Sequence, residues 1–574
     1  MKMNFASLVA VLVFACAAFG GERQPLWPVD AMPDAQPHQF AAMANIARKK
    51  GFDPGEWRMP CIEWFAAPAN PNGKCMILIS GGSYNGLVDT GLVKQWSESF
   101  TALGFQCVNL VYRVPRPENL EFYRTAWEDG QRAVRLVRNA AAERHFDPEQ
   151  IGIVSMSAGS HLATLLAASS ETPAYPRIDA IDDTPAHVNI AIAFATAFVL
   201  TDGYGTKNTR GGDAIDSSLS PCFKFDSSTC PMCLLHGGAD PYSPIASTRI
   251  YRELRKRSIP AEIHLFPGLG HGAHGFARAI EFLRQMDWLG PLGDDVALMD
   301  RFPSDDARAI HEKQDLWPAG SIPDAQANQN IPYLEWHIPA KLSTQALLVL
   351  WSGGSYNGSS PNGFEVAPVR RFLNSKGMAV VTVDYRHPRP QNGLAKHTSA
   401  WQDAQRAIRL VRSEAAARGF DPARIGVMGS SAGGHLALMC AASSRSMAYL
   451  PVDGIDKTSC SVQWGVAVYP AYTLVDGKDS GALVDELVFD PATPPMLFLH
   501  GDADGHPAMA SVKAWEKMRR MGIQSELHTL VRRGHCFQRA AAPLTASFNF
   551  MDRIWDFISA NVLTREERRA LPIH

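Results

Sequence analysis

The sequence has almost no excess of charge of either sign. Its 55 lysine and arginine residues stand against 57 aspartate and glutamate residues, which gives a formal net charge of −2. Nucleic acids and anionic membrane surfaces attract proteins with a strong basic excess, so this balance argues against both partners and favours a neutral substrate. Beyond residue 20 the sequence also has no apolar run long enough to cross a bilayer. We therefore expect no nucleic-acid partner and no membrane span.

Cysteines are few and scattered, ten in 574 residues. They do not show the dense spacing typical of small disulfide-stabilised domains. Cys230-Pro-Met-Cys233 is spaced like a redox or metal-binding pair, but neither a second pair nor histidines at zinc-site spacing accompany it. We expect two buried thiols there, with a bridge between Cys222 and Cys230 as the alternative. No metal or organic cofactor is implied.

The amino terminus has the pattern of a secretory signal. Lys2 precedes an apolar run at residues 5–14, and Ala18-Phe-Gly20 offers the small residues typical of a cleavage site. The pattern predicts a signal peptide over residues 1–20 and hence a secreted or periplasmic protein. An alternative is a lipoprotein signal in Val13-Phe-Ala-Cys16, which would anchor the chain through Cys16.

The sequence repeats itself once over almost its whole length. The seven residues Ser80–Gly86 return unchanged as Ser352–Gly358. Other repeated motifs are Leu-Trp-Pro at 26–28 and 316–318, and Trp-x-Asp-x-Gln-Arg-Ala at 127–133 and 401–407. A period of this size makes each copy a whole domain, at 24–295 and 312–574. The stretch between the copies is rich in Asp, Gly and Pro, which predicts a surface linker at 296–311.

Each copy contains six apolar runs with the length of buried strands, separated by helical segments. The runs in the first copy are Met76–Ile79, Cys107–Val111, Ile151–Val154, Ile190–Phe194, Met232–Leu235 and Glu262–Phe266. Those in the second copy are Leu347–Leu350, Ala379–Val383, Ile425–Met428, Gly465–Val468, Met496–Leu499 and Glu526–Leu530. Alternating strands and helices predict an α/β fold, with a mostly parallel sheet and helices on both faces in each copy.

Ser431 is the clearest nucleophile candidate. It is the centre of Gly429-Ser-Ser-Ala-Gly433, between the strand run at 425–428 and a helix-forming segment. Strand, sharp turn and helix in this order are typical of a nucleophile elbow, which exposes the serine hydroxyl at the end of the strand. The alternative is a small-residue turn that only joins the two elements.

A serine nucleophile needs a base, and the base needs an acid to orient it. In sheets with such an elbow, the acid and then the histidine follow the serine in the chain. Asp504 and His535 each come just after a strand run and have these positions. Asp502 is the rival acid and His528 the rival base. His528 lies inside a strand run, where a structural histidine is the more typical interpretation.

The first copy offers the same set. Ser157 is its nucleophile candidate, at the centre of Ser155-Met-Ser-Ala-Gly159. Asp240 and His271 stand at the corresponding strand ends as acid and base candidates, with His274 as an alternative base. Ser155 replaces the first glycine of the elbow, and because serine is also small we retain Ser157 as a candidate.

The negative charge that develops on a carbonyl oxygen during acyl transfer needs N–H donors fixed in advance. The residue after each nucleophile and the glycine-rich loop after the first long strand supply candidates. They are Ala158, Gly82 and Ser83 in the first copy, and Ala432, Gly354 and Ser355 in the second. The alternative is that each Gly-Gly-Ser loop is a tight turn without a catalytic role.

Together these motifs resemble bacterial esterases of the acetyl xylan esterase and feruloyl esterase type. The residues that carry the resemblance are Leu-Trp-Pro, the glycine-rich loop followed by Tyr84 or Tyr356, Trp-x-Asp-x-Gln-Arg-Ala, and Ile425-Gly-Val-Met-Gly-Ser-Ser-Ala-Gly-Gly-His435. The resemblance implies two tandem α/β-hydrolase domains that remove acetyl or feruloyl groups from a plant polysaccharide such as xylan, without a cofactor. Relatives often have Gly-Gly-Gly where this chain has Gly-Gly-Ser.

The sequence therefore predicts a serine carboxylester hydrolase that acts through an acyl-enzyme. Two alternatives remain open. A serine peptidase of the same fold would use the same triad, since a triad alone does not distinguish an amide from an ester. In the other alternative only the second copy is catalytic, and the first is a degenerate carbohydrate-binding or structural unit, which Ser155 motivates.

Overall fold

The computed structural model describes residues 22–28, 30–49, 59–87, 90–201, 216–290, 310–539 and 550–570. The chain packs as two compact units. Unit 1 spans Met1–Thr206, Ser218–Leu235 and His271–Ala273, and unit 2 spans Lys207–Ser217, His236–Gly270 and His274–His574, each as far as its residues are described. The predicted signal peptide and almost all of the predicted linker lie outside the described residues. The domain limits drawn from the repeat, 24–295 and 312–574, stay a prediction.

Unit 1 is built on a mostly parallel sheet. Its strands, numbered in chain order and given in their order across the sheet, are β1 Glu22–Pro25, β2 Cys61–Trp64, β4 Gln106–Val111, β3 Cys75–Ile79, β5 Ile151–Met156, β6 Ile190–Phe194 and β7 Met232–Gly237. The pairs from β4 to β7 are parallel, whereas β1 and β2 join antiparallel. The helices are α1 Pro37–Lys49, α2 Thr90–Ala102, α3 Arg124–Asn139 and α4 Ala158–Ala168.

Unit 2 has a sheet of the same kind. Its strands in order across the sheet are β8 Ala261–Phe266, β16 Glu526–Leu530, β15 Met496–Gly501, β14 Trp464–Val468, β13 Ile425–Ser430, β11 Leu347–Trp351, β12 Ala379–Asp384, β10 Tyr333–Ile338 and β9 Ile310–Asp315. The pairs from β16 to β12 are parallel, and β8, β9 and β10 are antiparallel to their neighbours. The helices are α5 Ile245–Lys256, α6 Phe276–Gln285, α7 Ala367–Ser375, α8 Thr398–Ala415, α9 Ala432–Ala442, α10 Met509–Arg520, α11 Phe550–Asn561 and α12 Arg565–Ala570.

The predicted fold class is confirmed: each unit is an α/β-hydrolase fold with a mostly parallel sheet flanked by helices. All twelve predicted strands are present, with ends that differ by two residues at most. The antiparallel strands β1, β2, β9 and β10 were not predicted. β1 and β2 have four residues each and β9 is exposed along almost its whole length, so none of these three shows a long apolar run.

Several of the repeated motifs form a buried ion pair that ties the start of each copy to its longest helix. In unit 1, Arg113 donates its backbone N–H and its Nε to the Asp129 carboxylate at 2.7 and 3.0 Å, and Trp27 Nε1 donates to the same group at 2.7 Å. Arg386 and Asp403 repeat this arrangement in unit 2. Because these groups are fully buried, a lost partner would leave an uncompensated charge. These repeated residues therefore serve the scaffold.

The elbow strand and the helix after it lie in the interior of each unit. All six residues of β13 and all eleven of α9 are buried, and the same holds for the eleven residues of α4. Burial on all sides explains why α9 is apolar around its circumference. A rigid strand and helix therefore hold the turn between them at the carboxyl end of the sheet.

Two further predictions concern thiols and membranes. Cys222 and Cys230 are separate thiols in the structure, and Cys222 Sγ donates to Ser220 Oγ at 3.1 Å, so the disulfide considered between them is not formed. Among the described residues, no helix combines the length and the apolar character that crossing a bilayer requires.

Candidate active site

Ser431 occupies a sharp turn between β13 and α9. Its backbone has φ 57° and ψ −120°, an unusual conformation for a residue with a side chain. Its N–H donates to Val468 O at 3.0 Å, and its carbonyl accepts the Ala471 N–H at 3.1 Å. These bonds to the segment that follows β14 hold the strained turn in place.

Small residues around Ser431 are required by close packing. A β-carbon on Gly433 would lie 2.4 Å from Ser352 O, and one on Gly353 would lie 2.8 Å from Ser431 Cβ. Both distances are shorter than real contacts of a β-carbon. The glycines therefore let the elbow and the Gly-Gly-Ser loop approach each other.

The structure brings His535 and Asp504 to Ser431. His535 Nε2 lies 2.8 Å from Ser431 Oγ, and His535 Nδ1 lies 2.8 and 3.0 Å from the two Asp504 carboxylate oxygens. An ionised carboxylate only accepts hydrogen bonds, so Nδ1 carries the proton and Nε2 accepts from the serine hydroxyl. The geometry is that of a base oriented toward a nucleophile.

The surroundings of Asp504 fix its orientation. Its side chain is buried, and the His506 backbone N–H donates to its Oδ1 at 2.7 Å. His500 Nε2 is 3.5 Å from its Oδ2, and burial lowers the pKa of His500 to about 4. Because His500 stays neutral near pH 7, it leaves the carboxylate charge available to His535.

The rival residues occupy other surroundings. Asp502 accepts hydrogen bonds from Tyr251 Oη and Arg255 Nη1, both at 2.9 Å. His528 is buried in β16, with Nε2 at 2.6 Å from Glu526 Oε1, and burial lowers its pKa. Both side chains are thus held by hydrogen bonds to other residues of unit 2.

The candidates of the first copy are divided between the compact units. Ser157 repeats the elbow, with φ 60° and ψ −123°, and His271 is an exposed residue of the same unit. Asp240 belongs to unit 2, where it is buried and accepts the Tyr242 N–H at 2.8 Å. His274 Nε2 is 3.0 Å from Gly270 O. The grouping of Ser157, Asp240 and His271 into one site stays a prediction.

The predicted oxyanion loops have a common backbone. Gly82, Ser83 and Tyr84 all have positive φ angles, as do the three residues that start at Gly354. Ala158 and Ala432 are the first residues of α4 and α9, so their N–H groups need partners outside the helix. The two loops therefore share one backbone conformation, and the catalytic use of their N–H groups stays a prediction.

A buried polar network beside the site was not predicted from the sequence. Glu365 accepts the Gly353 N–H at 2.6 Å and the Tyr469 hydroxyl at 3.0 Å. The Tyr469 hydroxyl is also in contact with Gln538 Oε1, and the Tyr469 ring centroid lies 4.8 Å from that of His535. The network connects the glycine-rich loop to Tyr469, whose ring packs against His535. Glu365 and Gln538 lie outside the repeated motifs, so no sequence signal indicated them.

The chain is similar in sequence to several known proteins. The BD-FAE family model matches residues 65–254 and 334–481. An acetylxylan esterase of Xylanibacter ruminicola is 24% identical over 256 residues, which are 42% of this chain and 48% of that protein. A probable carboxylic ester hydrolase of Mycobacterium tuberculosis is 28% identical over 137 residues, which are 24% of this chain and 30% of that protein. The chain thus spans less than half the length of these curated relatives.

Among solved structures, an acetyl ester-xyloside bifunctional hydrolase from Caldicellulosiruptor lactoaceticus is 26% identical, with a TM-score of 0.38, and the match covers 43% of this chain and 96% of that chain. The two matches of the family model together take in more than half of this sequence. The chain therefore belongs to the BD-FAE family.

Proposed function

We propose that this protein is a carboxylic ester hydrolase that removes acetyl or feruloyl groups from a plant polysaccharide such as xylan. The observation that carries the proposal is the row Ser431 Oγ, His535 Nε2 and Nδ1, and Asp504, joined at 2.8 Å at each step. Family membership and the acetylxylan esterase relative support the choice of an ester of a carbohydrate.

In the proposed mechanism, His535 Nε2 takes the proton of the Ser431 hydroxyl while Oγ attacks the ester carbonyl. The C–O bond to the sugar then breaks, and the imidazolium gives its proton to the departing alcohol. Water, activated by the same Nε2, attacks the acyl-enzyme and releases the carboxylic acid and free Ser431. Asp504 holds the imidazole tautomer and stabilises the imidazolium.

The negative oxygen formed in both steps needs donors at fixed positions. We assign this role to the N–H groups of Ala432, Gly354 and Ser355. The bond from Gly353 N–H to Glu365 supports the assignment, since it holds the loop close to Ser431. No metal or organic cofactor takes part in this mechanism.

The proposal includes a second site, with Ser157, Asp240 and His271 in the same roles, and export of the chain by the signal peptide at residues 1–20. The Ser157 turn, whose backbone agrees with the Ser431 turn, supports an active first copy. Tandem domains at 24–295 and 312–574 would then present two separate esterase sites.

The test is the release of acetate and ferulate from acetylated and feruloylated xylan. Wild type is compared with Ser157→Ala, Ser431→Ala and the double variant, and Ser430→Ala serves as the control because it removes a neighbouring hydroxyl that bonds to Gln538. We expect Ser431→Ala to abolish turnover at its site and Ser430→Ala to retain most of it. Hydrolysis that survives in the double variant would overturn the serine mechanism.

The same variants separate the alternatives. Loss of all activity in Ser431→Ala alone would make the first copy an accessory unit. Loss of acetate release in one single variant and of ferulate release in the other would establish two sites with different acyl preferences. A panel of amide substrates, on which we expect no turnover, tests the peptidase alternative.

A further inference from the structure

Three side chains in a row next to His535 take no part in the proposed mechanism. They are His506, Tyr472 and Lys396. The His506 ring centroid lies 5.0 Å from that of His535, and the Tyr472 ring lies 5.4 Å from His506. Lys396 Nζ lies 3.6 Å from the centroid of the Tyr472 ring. Tyr472 directly follows Ala471, whose N–H donates to Ser431 O. The row therefore begins at the catalytic candidates and ends at a positive charge.

Tyr472 acts as a support for this charge. Lys396 stands over its ring at a cation–π distance, and Tyr356 stacks against the Tyr472 ring with centroids 6.0 Å apart. The lysine is half-buried, and burial lowers its pKa. Holding an ammonium in one place reduces the entropy that a flexible lysine would lose on binding a ligand.

The charges that surround Lys396 leave it without a close counter-ion. Within the described part of the chain, no carboxylate oxygen lies within 4.0 Å of its Nζ. Glu486 is the nearby acid, with Oε1 at 3.5 Å from His397 Nδ1 and 3.7 Å from His435 Nε2. Its negative charge raises the pKa of Lys396, against the larger lowering by burial. Exposed Arg389 adds a second positive charge near Lys396.

We propose that Lys396, supported by Tyr472 and flanked by His506, forms a subsite that binds a carboxylate on the ester substrate. The proposal deepens the proposed function and rests on it. Two kinds of ester carry such a group: an acylated oligosaccharide with a uronic acid residue, and a half-ester of a dicarboxylic acid. In both, the carboxylate supplies Lys396 with an ion-pair partner closer than Glu486, the acid that acts on it in the described part of the chain.

Unit 1 has a different set of residues at the corresponding positions. Phe122 precedes the N-cap residue of α3, as Lys396 precedes that of α8, and Phe198 takes the place of Tyr472. The Phe122 ring packs 5.6 Å from Phe198 and 5.4 Å from His161. Cys222 stands where Glu486 does, since their carbonyls accept from Ser169 and Ser443 in the same way. Unit 1 also has a cation at these rings, since Arg116 Cζ lies 5.2 Å from the ring centroids of both Phe122 and Phe198. The combination of Lys396, Tyr472 and His506 is therefore specific to unit 2.

The experiment measures kcat/KM for matched pairs of esters in a Ser157→Ala background, so that only the Ser431 site contributes. One pair is an acetylated xylo-oligosaccharide with and without a uronic acid branch, and the other is a monosuccinyl and a butyryl ester of xylose. We expect Lys396→Met to lower the acidic-to-neutral ratio of kcat/KM by about tenfold, since a charge-assisted hydrogen bond is lost. Lys396→Arg keeps the charge and should keep most of the ratio.

Lys457→Met, at an exposed lysine of unit 2, is the control and should leave the ratio unchanged. Salt gives a second test, which needs no variant. The acidic-to-neutral ratio of kcat/KM of the parent enzyme should fall in about 0.5 M sodium chloride, because salt screens the attraction between Lys396 and the carboxylate of the substrate. If the ratio falls for the xylo-oligosaccharide pair, the subsite binds a uronic acid carboxylate. If it falls for the succinyl and butyryl pair, the subsite binds the carboxylate of the acyl group.

The outcomes separate the two proposals. If Ser431→Ala in the same background retains turnover of all four esters, the proposed function is wrong. If Ser431→Ala abolishes turnover while Lys396→Met and salt leave both ratios unchanged, the mechanism stands and the carboxylate subsite is overturned.

Discussion

The serine turns of unit 1 and unit 2 differ in sequence and agree in backbone. Ser157 has φ 60° and ψ −123°, and Ser431 has φ 57° and ψ −120°. In both units a β-carbon on the facing loop glycine, Gly81 or Gly353, would lie 2.8 Å from the serine Cβ. The agreement shows that the close approach of loop and elbow, more than any one flanking residue, defines this turn.

The difference lies in how each unit fills the space behind the turn. Unit 2 has Gly429 and Gly434, whereas unit 1 has Ser155 and Ser160 at the corresponding positions. Ser155 Oγ lies 3.1 Å from Ser160 Oγ and donates to Ile192 O at 3.0 Å, and Ser160 Oγ donates to Phe194 O at 2.8 Å. Each buried hydroxyl thus donates its proton to a backbone carbonyl of β6. Ser155 therefore marks a paired substitution and not a damaged elbow.

The largest effect should follow a change in the acid of the unit 2 site. Asp504→Asn keeps the shape but replaces the carboxylate that holds the Nδ1 proton of His535. We expect kcat at this site to fall by about 10³- to 10⁴-fold, because the wrong histidine tautomer is favoured. Acetate release in a Ser157→Ala background measures this.

Asp502→Asn is the matched control for Asp504→Asn. Its carboxylate bonds to Tyr251 and Arg255, so we expect a lower melting temperature and a kcat within about threefold of the parent enzyme. A reversal of the two results would make Asp502 the catalytic acid and refute the assignment.

A smaller loss should follow crowding of the glycine-rich loop. In Gly353→Ala the new methyl group would lie 2.8 Å from both Ser431 Cβ and Glu365 Oε2. The loop must shift, and a displacement of the order of 1 Å costs about 10²-fold in rate. Gly358→Ala is the control, since nothing lies within 4 Å of its added carbon. Equal kcat values for the two variants would show that the loop does not need to touch the elbow.

Much of the fold could be predicted from the sequence, because buried strands have continuous runs of apolar residues. The runs such as Ile425–Met428 marked the central strands. The choice of Asp504 and His535 as acid and base rested on their positions just after such runs. The short, exposed strands β1 and β9 have no such pattern.

The polar surroundings of the site were less accessible, for a different reason. Glu365, Tyr469 and Gln538 come from three separate segments and meet only in the folded unit. Lys396 and His506 are likewise loop residues without a repeated counterpart of the same chemistry. Sequence motifs indicate what two copies share, whereas these residues are where the copies differ.

The elbow comparison predicts an asymmetric result for stability. Gly429→Ser in unit 2 would bring a β-carbon to 2.1 Å from Gly433 O, and overpacking of this kind costs about 1–3 kcal/mol or more. Ser155→Gly in unit 1 removes the hydrogen bond from Ser155 Oγ to Ile192 O and should cost about 1 kcal/mol. Urea unfolding of both variants measures the difference. If Gly429→Ser were as stable as wild type, the two turns would tolerate the same residues and the paired substitution would have no structural meaning.

The last expected effect is confined to acid pH and tests what the two units share. Tyr84 and Tyr356 each bond through Oη to the Nδ1 of a buried histidine, His161 or His435, at 2.8 Å. Burial lowers the pKa of both histidines to about 3, well below the usual value near 6.5. The unfolded chain therefore binds more protons than the folded chain between about pH 6.5 and pH 3. Above pH 6.5 the two histidines do not lower the free energy of unfolding. Below pH 6.5 the free energy of unfolding falls by about 1.4 kcal/mol per pH unit for each histidine.

Replacing either buried histidine by glutamine removes its proton uptake on unfolding. We expect the melting temperature of His161→Gln and of His435→Gln to fall less between pH 7.5 and pH 5 than that of wild type. His145→Gln, at an exposed histidine of unit 1, should keep the wild-type slope. The two histidines have different neighbours: His435 lies 3.7 Å from Glu486, whereas His161 packs against Phe122 and Phe223. A difference between the two variants in how melting temperature changes with pH therefore measures the effect of Glu486 on the histidine of unit 2. Slopes equal to wild type in both variants would mean that neither histidine is held neutral by burial.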